Sequence, residues 1–239
     1  MSSRFLTAEW RRLIMANYAI APALLAEYLP AGTELDLFHG QCFVSLIGFY
    51  FQNVRLMGFG IPFHKNFEEV NLRFYVRRIL PTGEARRGVV FVRELVPLHA
   101  ISIVANTLYG ERYAVAPMTH LWSETGGTRQ TEYRWKSHGR WHSMQAATEP
   151  GPVDIAAGSV EEFITEHYWG YAKKRSGLTM EYAVQHPRWQ QYPLRTFSTD
   201  ADFGALYGEQ FAPLTDREPD SVLLAEGSAI AILHGQTLS

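Results

Sequence analysis

The segment 67–79, FEEVNLRFYVRRI, constrains the fold more than any other part of the chain. Val70, Leu72, Phe74 and Val76 alternate with Glu69, Asn71, Arg73 and Tyr75. Successive side chains of a strand point to opposite faces, so this period predicts a strand with one apolar and one polar face. Pro81-Thr82-Gly83-Glu84 reads as a turn, and residues 87–96, RGVVFVRELV, as the partner strand of a hairpin. The polar row has two readings. On an outer face it is ordinary solvated surface. Inside a barrel whose outer face is covered by helices, it puts a carboxylate and a guanidinium into a ligand pocket, where buried charges must be paired. Exposure of Glu69 and Arg73 to bulk water would end the second reading.

The rest of the chain repeats the strand signal. Residues 10–20 and 41–51 predict strands, the second apolar on both faces and therefore covered on both. Pro22 opens a short helix, ALLAEY, which Pro30 and Gly32 end. After Pro97, Ile101, Val104 and Leu108 fall at helical spacing, with Gly110 as the stop. Gly126-Gly127 and His138-Gly139 predict two more hairpins across 118–147, and Ser159 caps a helix over VEEFITEHYW. Strands at 168–175, 179–186, 192–197 and 221–233 complete the pattern. Many strands, few helices and no βαβ rhythm predict an α+β domain on one largely antiparallel sheet system that can close as a barrel. The Pro/Gly/Ala-rich stretch 149–158 reads as a subdomain seam inside a single domain spanning 1–239.

Composition removes several function classes. With 46% hydrophobic and 19% charged residues the chain is globular. A formal net charge of -2 gives no electrostatic reason to expect nucleic acid or an anionic membrane. No segment approaches the ~20 apolar residues that span a bilayer. MSSRFLTAEWRR lacks the apolar core of a signal peptide, and Cys42 is the only cysteine, so a cytoplasmic location is expected. In its apolar strand Cys42 reads as a small hydrophobe rather than a nucleophile. Gly58-Phe59-Gly60 has no third glycine and no helix after it, and there is no G-x-S-x-G. The tight pair His138 and His142 straddles a turn, so neither a metal nor any other cofactor is expected.

Several segments carry a family resemblance: W-R-R-L-I-M-A-N-Y, L-L-A-E-Y-L-P, F-E-E-V-N-L-R-F-Y-V, F-V-R-E-L-V-P, L-Y-G-E-R-Y, H-Y-W-G-Y and Q-H-P-R-W. Together they make the chain resemble the uncharacterised YqjF-like family of the acetoacetate decarboxylase-like superfamily. The resemblance implies a largely antiparallel, barrel-like α+β fold around a central cavity with a few covering helices. It also implies a tendency to form homo-oligomers.

Acetoacetate decarboxylases form an imine on a lysine whose neighbours lower its pKa. The resemblance places Tyr113 and Ala114 at the positions of that lysine pair, and it matches the family's pocket glutamate with Glu69 and its arginine with Arg11, or Arg12 if the register slips. A phenol forms no imine. Lys65, Lys136, Lys173 and Lys174 are the only lysines. Lys173-Lys174 reads as a solvated tip before Ser176-Gly177, and Lys65 as part of an exposed loop.

The candidate site is therefore Glu69 and Tyr113 as acid–base groups, with Arg11, Asn71 and Arg73 as ligand-binding groups. The ligand expected is a small acidic or carbonyl-containing metabolite, either merely bound or transformed without decarboxylation. Two rivals stay open: a decarboxylase or other lyase using a lysine from a non-matching position, and a structural module with a filled barrel. Glu111 and Arg112 read as a pair at a helix end, and Trp189 as a packing anchor.

Overall fold

A computed structural model describes residues 4–99, 102, 106, 110–174 and 176–238. The helix expected after Pro97 falls largely outside the described residues, Ile101, Val104 and Leu108 included. From the N-terminus the strands are β1 (Arg4–Ile20), β2 (Glu34–Leu35), β3 (Cys42–Leu56), β4 (Phe67–Ile79), β5 (Ala85–Val96) and β6 (Tyr113–Val115). A meander follows, β7 (Met118–Thr125), β8 (Thr128–Ser137) and β9 (Arg140–Thr148), then β10 (Val153–Asp154), β11 (Trp169–Lys173) and β12 (Thr179–Gln185). The last four are β13 (Gln190–Tyr192), β14 (Leu194–Asp200), β15 (Ser221–Leu233) and β16 (Gln236–Leu238).

These strands make two sheets rather than the single system expected. In the larger one, β15, β1, β3, β4 and β5 lie side by side and antiparallel. A two-residue parallel pairing, Trp169↔Gly88 and Gly170↔Val89, joins β11 to β5. β12 pairs with β11 and meets β15 again through Val184↔Ile232 and Gln185↔Ala231. The sheet thus curls round on itself with two thin seams, a barrel-like arrangement.

The smaller sheet, in the order β14–β9–β8–β7, packs on its outer face. There Val70, Leu72, Phe74 and Val76 of β4 share a buried cluster with Tyr133, Trp135 and Met144, and with Phe203, Leu206 and Phe211. Burying each such side chain stabilises the fold by about 1.5–3 kcal/mol. Gly48 permits the close approach, because a Cβ there would press on Met144 Sδ and the Tyr133 ring. A sheet, with two short helical turns beside it, therefore covers the face for which helices were expected.

Local signals set most boundaries. β4 spans the predicted alternating segment, and the turn after it closes the hairpin with β5 at Ile79↔Ala85. Ser159 Oγ accepts from Glu162 N (3.1 Å), capping an α-helix that runs over Val160–Thr165 and stops short of the expected length. ALLAEY forms only a 3-10 turn at Pro22–Leu25. Residues 203–214, read as turns, fold into an α-helix at Phe203–Tyr207 and a 3-10 helix at Glu209–Leu214. Asp202 Oδ1 caps the first by accepting from Ala205 N (2.9 Å).

Candidate functional site

The polar face of β4 lines a cavity of about 70 Å³. An enclosed water needs roughly 10–15 Å³, so this is room for several water-sized groups. Glu69, Asn71 and Arg73 reach it from β4, Glu94 from β5, Tyr113 from β6, and His167 from the turn before β11. Trp10, Phe49, Phe51 and Trp189 form an apolar wall, with Trp10 edge-on to the other three rings. Trp189 is both anchor and lining, since its Nε1 donates to Ser228 Oγ (2.9 Å).

Glu69 is the hub of one end. Asn71 Nδ2 donates to its Oε1 (2.9 Å) and Tyr113 Oη to its Oε2 (3.1 Å). Burial pushes the Glu69 carboxyl up to about 7, against the pull of those two hydrogen bonds and of the Arg73 charge. Glu94 is buried beside it, and burial plus the charges of Glu111 and Glu69 hold it well above the ordinary carboxylate range. Burial, joined by the charge of Glu69, takes Glu111 up to about 8, although Tyr182 Oη donates to its Oε1 (2.7 Å). Burial holds all three carboxyls above the ordinary range, and the charge of Glu69 raises the other two further.

Tyr113 stays a donor. Burial, then the charges of Glu69 and Glu94, push its phenol well up. β6 runs parallel to β5 and pairs Tyr113 with Glu94, which seats the phenol over the carboxyl cluster. Asn106 fixes that strand from both sides, its Oδ1 accepting from Tyr113 N (2.7 Å) and its Nδ2 donating to Tyr113 O (3.0 Å). Gly170 is required for the same architecture. A Cβ there would overlap the Tyr182 ring, which crosses Gly170 on its way to Glu111.

At the other end Arg73 donates from its NH2 to Ile164 O (3.3 Å). Beyond it His167 Nε2 meets Asp36 Oδ2 (3.1 Å), an oxygen that also accepts from Arg87 Nε (2.6 Å). Five buried atoms of cavity-lining residues have no hydrogen-bond partner among the described residues: Trp10 Nε1, Asn71 Oδ1, Arg73 Nε, Glu94 Oε2 and His167 Nδ1. Each such atom costs about 1–3 kcal/mol if left unsatisfied. Ten further unpartnered buried atoms among the described residues lie outside this lining, but these five bring donors and acceptors to one cavity.

The sequence-derived set is only partly brought together. Glu69, Asn71, Arg73 and Tyr113 converge, and Glu69 and Asn71 are each 2% exposed, so the polar row does not face bulk water. Arg11 does not join them. β1 carries an extra residue at Arg11–Arg12, where its register against β3 shifts and Arg12 adopts φ 53. This bulge aims Trp10 and Leu13 into the cavity and turns both arginines away. Arg11 pairs with Glu9 (2.6 Å), and Arg12 stacks over Trp122 (4.4 Å to the ring centre).

The expected Glu111–Arg112 pair is also replaced: Glu111 binds Tyr182, while Arg112 stacks over Tyr28. None of the four lysines lines this cavity. Lys174 Nζ donates to Thr237 Oγ1 (2.9 Å), and Lys65 is exposed. Sequence reasoning missed Glu94, His167 and Asp36. Glu94 had a signal, a carboxylate inside the apolar run VVFVRELV.

A curled, barrel-like sheet beside a polar cavity is an architecture that several solved structures share. Acetoacetate decarboxylase from Legionella pneumophila matches with a TM-score of 0.65 at 14% identity, covering 98% of this chain and 87% of that one. An acetoacetate decarboxylase-like enzyme from Sphingomonas wittichii RW1 matches with 0.68 at 14% identity, over 99% and 94%. The enduracididine biosynthesis enzyme MppR matches with 0.67 at 12% identity, over 100% and 90%. The fold is acetoacetate decarboxylase-like. The chain belongs to the DUF2071 family, described as an uncharacterized conserved protein, whose model matches residues 7–229. A relative, the uncharacterized protein YqjF of Bacillus subtilis (strain 168), is 27% identical over 182 residues, which is 74% of this chain and 72% of that protein.

Proposed function

We propose that the cavity binds a small carbonyl-bearing carboxylic acid and moves a proton beside its carbonyl without forming an imine. The observation that carries this reading is the Tyr113–Glu69 hydrogen bond (3.1 Å) in a cavity that also holds Arg73 and that no lysine lines. Arg73 is the fork that grips the carboxylate. Glu69, with its carboxyl up to about 7, is divided between acid and base near neutral pH. As carboxylate it takes a proton from the carbon next to the carbonyl. The electron pair left behind moves onto the carbonyl oxygen, where the Tyr113 hydroxyl and a protonated Glu94 stabilise it. Return of the proton to carbon completes an exchange or an isomerisation. The choice of ligand class is supported by MppR, which shares the fold and has been solved with pyruvate.

The test is proton NMR of pyruvate with the protein in D2O. The methyl signal is expected to decay, and Glu69→Gln to slow the decay by at least ~100-fold, the usual contribution of a positioned acid or base. Borohydride is then added and the protein weighed. A reduced adduct on Lys65, Lys173 or Lys174 would overturn the imine-free reading in favour of the lyase alternative.

A further inference from the structure

We propose that Asp36 holds His167 as a hydrogen-bond acceptor at the Arg73 end of the cavity, so that the ligand class is a hydroxylated carbonyl acid rather than a simple keto acid. This rests on the proposed binding of a carbonyl acid in the same cavity. Asp36 is buried, and its Oδ2 receives both Arg87 Nε (2.6 Å) and His167 Nε2 (3.1 Å). A carboxylate only accepts, so Nε2 carries the ring proton and Nδ1 is left with a bare lone pair. The side chain of His167 is fully enclosed, its ring packed between Tyr75 (4.8 Å) and Phe163 (5.0 Å), so it cannot turn Nδ1 to water. Nδ1 is one of the buried atoms without a partner, on a residue that lines the cavity.

The charged groups around the ring keep it neutral. Burial lowers the imidazole to about 4, reinforced by Arg87 and Arg73 and opposed by Asp36. A carboxylate set against Nδ1 would bring two acceptors face to face. A hydroxyl fits instead, because it can donate to Nδ1 while Arg73 keeps the carboxylate. Arg73 Nε, also buried and unpartnered, belongs to the same cavity lining. The cavity therefore offers donors for a carbonyl beside Glu69, a guanidinium for the carboxylate, and a buried acceptor for a hydroxyl at His167. Asp36 acts only through His167 and is a positioning residue.

The experiment compares hydroxypyruvate with pyruvate, which differ by one hydroxyl, by calorimetric titration of the full chain at pH 7. The wild type is expected to bind hydroxypyruvate roughly five- to tenfold more tightly, the value of one neutral hydrogen bond. His167→Phe, or His167→Gln should the first fail to fold, is expected to abolish that preference while pyruvate still binds. Nitrogen-15 NMR of the imidazole supplies a readout of the tautomer. In the wild type Nδ1 is unprotonated and shifts when hydroxypyruvate is added, and Asp36→Asn mixes the two tautomers. Equal binding of both acids, or a preference that survives His167→Gln, would overturn the role of His167 and leave the binding of carbonyl acids standing. Failure of the wild type to bind either acid would refute both.

Discussion

Replacing Glu69 by Gln perturbs the site with the least change of shape, and its effect on stability follows from the burial of one carboxyl. In the fold Glu69 titrates at about 7, raised from 4.5, with burial as the main cause. A raised carboxyl means that the folded chain holds a proton the unfolded chain has released. Its contribution is fully present below about 4.5 and is lost as pH rises through about 7. Moving one carboxyl over that span is worth about 3 kcal/mol. Glu111, raised to about 8, acts in the same direction up to slightly higher pH.

His167 works the other way. Lowered to about 4, it makes the fold more stable as pH rises from there towards 6.5, so the raw profile of the wild type is a mixture. The difference between wild type and Glu69→Gln cancels that histidine and leaves Glu69 together with its effect on Glu94 and Glu111. Urea unfolding at constant ionic strength from pH 4.5 to 8 is the assay. Relative to the variant, the wild type should lose about 3 kcal/mol across the series, a shift of ~1 M in the midpoint difference at a typical slope. Removing the Glu69 charge also relaxes Glu111 and Glu94, which flattens the profile of the variant further. Parallel profiles would mean that Glu69 titrates like a hydrated carboxylate, and the enclosed proton-sharing cluster would then be wrong.

Arg73→Met should weaken binding of pyruvate roughly tenfold or more, the worth of a charge-assisted hydrogen bond, and Arg73→Lys should not fully restore it because a point charge cannot reproduce the fork. Calorimetric titration measures both. Gly170→Ala should drive the Tyr182 ring off Glu111 at a cost of about 1–3 kcal/mol, read as a fall of roughly 2–10 °C in Tm by differential scanning calorimetry. Arg11→Ala should leave binding of pyruvate unchanged and cost under ~1 kcal/mol in urea unfolding, because Arg11 pairs with Glu9 at a partly exposed site outside the cavity.

How much of this was readable before the structure depends on the range of the interactions. β4 and its hairpin were legible because alternation and a Pro-Thr-Gly turn are local signals, and Ser159 was legible as a cap for the same reason. The second sheet was not. Its strands had been placed, yet nothing local says that β8 and β9 leave the barrel and pack on β3 and β4; that depends on Tyr133 and Met144 meeting Gly48 across the layers. Arg11 failed for a related reason. A bulge is one inserted residue whose place is decided by the partner strand, here β3 between Tyr50 and Gly48, and no pattern within WRRLIM reveals it.

The site divides along the same line. Glu69, Asn71 and Arg73 share one strand face, so their company could be read from spacing alone, and Tyr113 came from the resemblance. Asp36 and His167 stand 131 residues apart in the chain and meet only because the segment after β2 and the turn before β11 converge beside β4. The same logic explains why the scarcity of lysine was visible early while the company of Glu69, Glu94 and Glu111 was not. A small number of lysines is a property of composition, whereas Glu69, Glu94 and Glu111 perturb one another only once burial removes the water that would have kept each of them ordinary.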